Sequence, residues 1–351
     1  MAEGDSSTFG LFDGVPHSIG GESGSPAGKG ARPAAAAAAA PTLEERMVGA
    51  VLGGAIGDAM GHPTEFMSMG AICERYGPGG VRKFELYRQG ADGRRVAPYT
   101  DDTQMAECVL RALLDEREDL DRAMTGMAKR FVEWSERPQG GHRAPGNACL
   151  AGCRALAAGA HWSTAGGATA GGCGSVMRAY PFGLVFRDDL RKAEEWAVQH
   201  SKLTHRDPIA LAASAAMAVG TALALRGEEP DYVASEMTAA ALRYSAPTAG
   251  MMVDAIADAR EKVGPEVTLD RLRAWAAHEA IAAAAYVFCR HPDDPAAAIL
   301  EGANTPGDSD SIATLAGALC GARCGIGALP EEWVREVERS EELLELARLI
   351  R

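Results

Sequence analysis

From Thr42 to the C-terminus, apolar residues return every three or four positions, and that period restricts the chain to helices. Leu43, Met47, Val51 and Leu52 mark one stripe, and Met105, Val109 and Leu113 mark another. Leu211, Met217, Val219 and Leu223 lie in a long alanine-rich run, and residues 274–288 and 333–349 are further helical segments by pattern. Alanine has the best helix propensity, and the period-two alternation of a half-buried strand is scarce. One exception is residues 81–87, a candidate short strand inside the glycine- and arginine-rich loop 76–99. The expected fold is all-α, a single compact bundle of roughly ten or more helices over residues 42–351.

Residues 1–41 differ in composition. Glycine, serine and proline dominate, and seven alanines (34–40) stand between Pro33 and Pro41. Few groups there offset the entropy of ordering, so a flexible extension is expected, with residues 11–16 as its apolar patch. Asp5, Asp13 and Glu22 interrupt the first thirty residues, which lack the apolar core of a secretory signal. No membrane span is expected, because no charge-free apolar run reaches about 18 residues. A formal net charge of −13 argues against nucleic-acid binding. Any anionic nucleotide would need local help from cations or helix N-termini. The eight cysteines form no C-x-x-C pair. Cys149 and Cys153, like Cys320 and Cys324, share a helix face, where packing is the expected role. That usage fits a reduced, cytoplasmic protein.

Two segments carry most of the chemistry. Thr100-Asp101-Asp102-Thr103 follows Pro98 and opens an apolar-periodic helix, so Thr100 or Asp101 is its N-cap. Asp308-Ser309-Asp310-Ser311 follows Pro306 and opens another. A cap needs one such group, not three. If the two helix starts face each other, four carboxylates and two hydroxyls converge and repel unless cations neutralise them. An all-oxygen donor set suits two hard ions, Mg²⁺ or Mn²⁺, rather than zinc. Gly53, Gly54 and Gly57 permit close packing late in the first helix, and Gly317, Gly321 and Gly325 recur on a later one. Asp58 suits a structural hydrogen bond, and spacing leaves Glu65 open between surface and function. Gly171-Gly172-Cys173-Gly174-Ser175 is a glycine-rich turn without the ending of a phosphate-binding P-loop. His205 precedes a helix, where a cap or buried hydrogen-bonding role is usual.

In this order, the segments resemble the ADP-ribosylglycohydrolase family, relatives of the dinitrogenase reductase-activating glycohydrolase. The resemblance rests on G-A-I-G-D-A-M-G-x-P-x-E (54–65), Y-T-D-D-T-Q-M-A (99–106), R-A-P-G-N-x-C (143–149), G-C-G-S-V-M-R-A-Y-P (172–181), T-H (204–205) and G-D-S-D-S-I-A (307–313). It implies a dinuclear Mg²⁺ or Mn²⁺ hydrolase that cleaves ADP-ribose from a modified acceptor, arginine foremost. Thr100, Asp101, Asp102, Asp308, Asp310 and Ser311 would be the metal ligands. Gly172, Cys173, Gly174, Ser175 and His205 would bind substrate, and Glu65 and Asp308 would carry catalysis. The chain departs from the family in having Ser311 where Thr is usual and Cys173 where many relatives have Asn. Two other readings keep the fold. One is an immunity protein that neutralises an ADP-ribosylating toxin by hydrolysis or by binding through residues 1–41. The other is an inert scaffold whose acids only cap helices.

Overall fold

The first long element shows how local rules start the fold. Thr42 caps the helix Leu43–Gly61 by accepting the Glu45 amide (3.2 Å), while the Glu45 carboxylate accepts the Thr42 amide (2.7 Å). This capping box satisfies donors that the first turn leaves open. Nearly every later position of that helix is buried, so it runs through the core rather than over it.

The structure is a computed structural model, and it describes residues 40–90 and 92–351. The expectations about the N-terminal extension, including the 11–16 patch, therefore fall almost wholly outside the described residues. Residues 41–351 form one compact unit. The described residues contain seventeen α-helices, three short 3-10 helices and a two-stranded antiparallel ribbon, Arg88–Gln89 with Arg95–Val96. The all-α expectation holds.

Three details differ from it. The strand expected at 81–87 is absent, and the ribbon forms on either side of the turn at Gly93 (φ +83°). Residues 333–349 are two helices, Glu331–Glu336 and Ser340–Arg348. Arg339 separates them in the left-handed region (φ +53°), its guanidinium held by Glu107 (2.6 Å) and the Tyr99 hydroxyl (3.1 Å). Tertiary partners override the helical period there. Pro208–Arg226, finally, corrects the expectation that no charge-free apolar run reaches about 18 residues: it is long and apolar enough to cross a membrane, yet 83% of its apolar window is buried inside the protein. Its small residues, alanine above all, make it a core helix.

The pair that positions everything else is Leu43–Gly61 against Ser309–Cys324, packed antiparallel. A Cβ on Gly49 or Gly53 would overlap the carbonyl oxygen of Gly321 or Gly317, and one on Gly57 would overlap that of Ala313. At Gly61 it would sit 2.5 Å from the Asp310 Cα. Only glycine permits this approach, at a cost of about 1 kcal/mol per helical position relative to alanine. Gly325 does not extend the strip; with φ +76° it ends the helix. All eight cysteines are free, and Cys149 and Cys153 pack in the core as their spacing suggests.

Candidate active site

The glycine seam fixes where the two acidic stretches meet. The C-terminal end of Leu43–Gly61 and the N-terminal end of Ser309–Cys324 arrive side by side, because the helices run antiparallel. Asp58, fully buried near that end, then recruits the third helix, Asp101–Asp115. Its Oδ1 accepts the Thr100 amide (2.9 Å), and its Oδ2 accepts the Thr103 amide (3.0 Å) and hydroxyl (2.6 Å). Burial raises the Asp58 pKa, and these bonds from Thr103 and Thr100 oppose the shift. Asp58 is thus the structural hydrogen-bonding group its position suggested.

The stretches 100–102 and 308–311 touch directly. Ser311 Oγ donates to Asp102 Oδ2 at 3.1 Å, across 209 positions of sequence. Thr100 is the N-cap of its helix and takes the Asp102 amide (3.4 Å). Asp308 caps the other by accepting the Ser311 amide (3.4 Å). The turn before it needs Gly307: φ is +95°, and a Cβ would overlap the Arg273 carbonyl.

A cavity of about 350 Å³ opens on this junction. Asp101, Asp102, Asp308, Asp310 and Ser311 line it, as do Glu65, Gly172, Cys173, Gly174 and His205. Thr100 is fully buried, just behind the lining. Ser175 also lies behind the wall, its hydroxyl accepting from Ser201 (2.9 Å) and Ser214 (3.3 Å). Wider grooves exist, but they gather no cluster of converging buried acids. In one of about 440 Å³, Arg111 and Arg339 pair with Glu107, and Arg130 pairs with Asp115. Converging acids without counter-charges, rather than volume, single out the smaller cavity.

The electrostatics of that cavity are unfavourable. The four aspartates are each 8% exposed or less. Burial, then the Asp58 charge, raises the pKa of Asp101 and Asp102 well above the usual carboxylate range. Burial, then Asp308 and Asp102, does the same to Asp310. Among the described residues the ion pair at this rim is His62–Glu65, with Nδ1 and Oε2 3.2 Å apart. The hydrogen bond to Glu65 raises the His62 pKa, and burial raises that of Glu65. The donors of His62, Glu65 and Asp310 lie within 4.8 Å of one another, an arrangement able to hold a metal ion.

The opposite wall is the glycine-rich turn, which enters a 3-10 helix, Cys173–Arg178. Cys173 Sγ donates to Asp308 Oδ2 (2.9 Å), and burial followed by the Asp308 charge pushes that thiol well up. Arg178, fully buried, donates to the Gly174 carbonyl and to Thr204 Oγ1 (2.6 Å) while stacking 4.6 Å from the Phe131 ring. It thereby ties the turn to the Thr204-His205 segment. His205 is 2% exposed, with Nδ1 at 2.7 Å from Thr204 Oγ1. Burial, then the Arg178 charge, lowers its pKa to about 3, so the imidazole is neutral.

Sequence reasoning missed four contributors. His62 fills an unassigned position of the first motif, one residue before Pro63. Arg178 carried no signal beyond its place in a motif. Phe66 (53% exposed) and Trp275 (60% exposed) stack at the cavity rim, centroids 4.7 Å apart. Phe66 also holds a left-handed conformation (φ +58°), with its amide bonded to the Gly307 carbonyl (2.6 Å). Such strain in a non-glycine residue gathers at functional sites.

The profile of the ADP-ribosylglycohydrolase family matches residues 39–351. An uncharacterised protein from Archaeoglobus fulgidus is 29% identical, over 82% of this chain and 90% of that protein. ADP-ribosylhydrolase ARH3 from Danio rerio is 28% identical, over 73% of this chain and 78% of its own. ADP-ribosylarginine hydrolase Tri1 from Pseudomonas putida is 27% identical, over 71% and 65% respectively. A solved structure described as an ADP-ribosylglycohydrolase-related protein complex superposes with a TM-score of 0.68 at 26% identity, covering 88% of this chain and 97% of that one. A profile match over all the described residues, on an all-helical fold that gathers the family motifs into one cavity, means that this chain belongs to the ADP-ribosylglycohydrolase family.

Proposed function

We propose that the protein is a divalent-cation-dependent hydrolase that cleaves the glycosidic bond between ADP-ribose and a modified acceptor. The observation that carries this reading is the 3.1 Å contact between Ser311 and Asp102, which joins two acidic helix starts in one cavity.

The donor set fits hard cations. Asp101, Asp102 and Asp310 are buried, mutually repelling, and free of arginine or lysine partners among the described residues. Such a cluster is costly without positive charge, and carboxylate and hydroxyl oxygens suit Mg²⁺ or Mn²⁺. Thr100, Asp101, Asp102, Asp308, Asp310 and Ser311 are the residues that would hold two ions, with Thr100 needing a small rearrangement from its capping role. Bound divalent ions supply Lewis acidity and a fixed point for the hydroxyls of the ribose.

The chain's own groups do the rest. Gly172 and Gly174 line the cavity, where a Cβ on Gly174 would press on Cys149 and His205, so glycine there keeps the His205 ring seated and leaves the backbone of the turn to meet the diphosphate. Neutral His205 adds a hydrogen-bonding edge without a charge. Asp308 takes a proton from the attacking water as its oxygen bonds to the ribose anomeric carbon. The bond to the acceptor breaks, and the acceptor leaves with the electron pair and gains the proton that Asp308 took up, relayed through solvent, which restores the carboxylate. Glu65, with its pKa raised, stands on the rim beside the departing group. Cys173 replaces an amide with a thiol that hydrogen-bonds Asp308, so this contact orients the carboxylate rather than the substrate. On the acceptor side, the Phe66–Trp275 pair offers flat aromatic faces beside acidic groups. That surface suits a planar guanidinium, which favours arginine over serine as the acceptor.

The test is direct. Chelator-treated protein, resupplied with Mg²⁺ or Mn²⁺, is incubated with ADP-ribosylated arginine, serine and nucleotide substrates, and free ADP-ribose is measured. Release from the arginine conjugate, lost in Asp101→Ala, is the expected result. No release above the Asp101→Ala background from any substrate removes the reading.

A further inference from the structure

We propose that the open groove beside the cavity is a docking surface for an extended, acidic segment of the acceptor polypeptide. The cavity takes the ADP-ribose, and the groove takes the chain that carries it. The occupant rests on the hydrolase reading above; the charge of the surface does not.

The groove, about 440 Å³, is a trough between two helices that follow each other in sequence. Asp101–Asp115 lines it with Gln104, Glu107, Cys108 and Arg111, which share one helix face. Leu120–Glu136 lines it with Arg130, Glu133 and Trp134, and its C-cap Arg137 completes the same spacing. The helices run antiparallel: Trp134 Nε1 donates to Gln104 Oε1 (3.0 Å) at one end, and Arg130 donates to Asp115 at the other. Arg111 and Arg130 therefore mark the far end, and Arg137 and Arg143 the near one. The near end adjoins the cavity, because Arg143 lines the trough and the next residue, Ala144, lines the cavity.

The trough inverts the charge of a chain whose formal net charge is −13. The guanidiniums of Arg111, Arg130, Arg137, Arg143 and Arg339 line it, against the two carboxylates of Glu107 and Glu133. Glu107 serves both Arg111 (2.8 Å) and Arg339 (2.6 Å). Arg130 turns outward to Asp115, whose side chain is 67% exposed, and such surface pairs exchange at little cost. Arg137 is exposed and meets no acid among the described residues. The Arg143 side chain is 10% exposed and holds Glu338 (3.1 Å), yet its Nε is buried without an acceptor among the described residues. A guanidinium carries five donors in a planar fork that matches carboxylates, so several donors here stay unused. Arg130 and Arg137 are about 10 Å apart along their helix, too far for one small anion to bridge. Acidic side chains three residues apart on an extended chain cover about that distance. A nucleic-acid strand has a charge on every unit and would carry some past the trough onto the acidic surface. A peptide places its acids only where the arginines stand.

Full-length protein, the double variant Arg111→Gln/Arg137→Gln and the charge-preserving Arg111→Lys/Arg137→Lys are titrated into a fluorescein-labelled pentaglutamate peptide at low ionic strength, with anisotropy as the readout. Pentalysine and a short oligothymidine strand are the controls, and circular dichroism checks folding. The expected result is binding of pentaglutamate alone, weakened about fivefold to tenfold in the glutamine pair, the scale of losing two exposed ion pairs, and largely kept in the lysine pair. Hydrolysis is read in parallel on ADP-ribosylarginine and on a peptide that carries the same modified arginine beside glutamates. The glutamine pair should raise KM for the peptide by a similar factor and leave the small conjugate unchanged. Equal pentaglutamate binding by wild type and the glutamine pair, no such binding at all, or equal capture of oligothymidine overturns this inference, while release from the small conjugate still upholds the hydrolase reading. Peptide binding with no hydrolysis of either substrate overturns that reading, and with it the acceptor as occupant.

Discussion

The two helices Leu43–Gly61 and Ser309–Cys324 behave differently along their shared length. Over Gly49, Gly53 and Gly57 they touch backbone to backbone, dry and without charge. One turn further, around Asp308 and Asp310, the same pair holds buried acids that no arginine or lysine matches among the described residues. The seam is optimised for contact, and the mouth is electrostatically strained. The lesson is that rigidity in one place holds strain in another: carboxylates that would move apart in a loose structure cannot do so here.

This contrast can be broken first at the seam. Gly53→Ala puts a methyl into the Gly317 carbonyl, and overpacking of this kind should cost about 3 kcal/mol in urea unfolding. A loss below 1 kcal/mol would mean the helices separate freely and the seam does not hold the mouth. The mouth should respond with the opposite sign. Asp102→Asn keeps an acceptor for Ser311 but removes one buried charge, so in chelator it should gain about 1–2 kcal/mol. The same variant should lose most of the stabilisation that added Mg²⁺ or Mn²⁺ gives the wild type.

Behind the mouth, His200 is fully buried beside Phe182, and burial, then Arg178, holds its pKa well below the usual imidazole range. The unfolded imidazole titrates near pH 6.5. Below that pH the unfolded chain takes up a proton that the folded chain refuses, so this contribution is present at higher pH and lost on acidification. Wild type should therefore lose stability relative to His200→Gln by about 1.4 kcal/mol per unit between pH 6 and pH 5. A flat difference would mean that His200 is charged in the fold. The smallest effect is a control. Gly126 sits in the helix Leu120–Glu136 with nothing within 4 Å of an added Cβ. Gly126→Ala should stabilise by about 0.5–1 kcal/mol, the reverse of the seam glycines.

Much of the fold was legible because its causes are local. The apolar period, the cap at Thr100 or Asp101 and the proline before each acidic helix act within a turn or two of chain, so sequence alone specified an all-helical body and two helix starts richer in acids than capping requires. The break at Arg339 was not legible, since the partners that stabilise its left-handed backbone, Glu107 and Tyr99, are more than two hundred positions away. Nor could spacing find His62, Arg178 or the Phe66–Trp275 stack, each of which acquires meaning only from neighbours across the fold.

Local periodicity and capping chemistry thus determined which elements form and which of them begin with surplus carboxylates. The tertiary structure alone decided that those beginnings meet. Two glycine strips choose an antiparallel register by the closeness of approach they permit, and Asp58 ties the third helix to that pair. Such contacts depend on distance through space, which the order of residues along a chain does not encode.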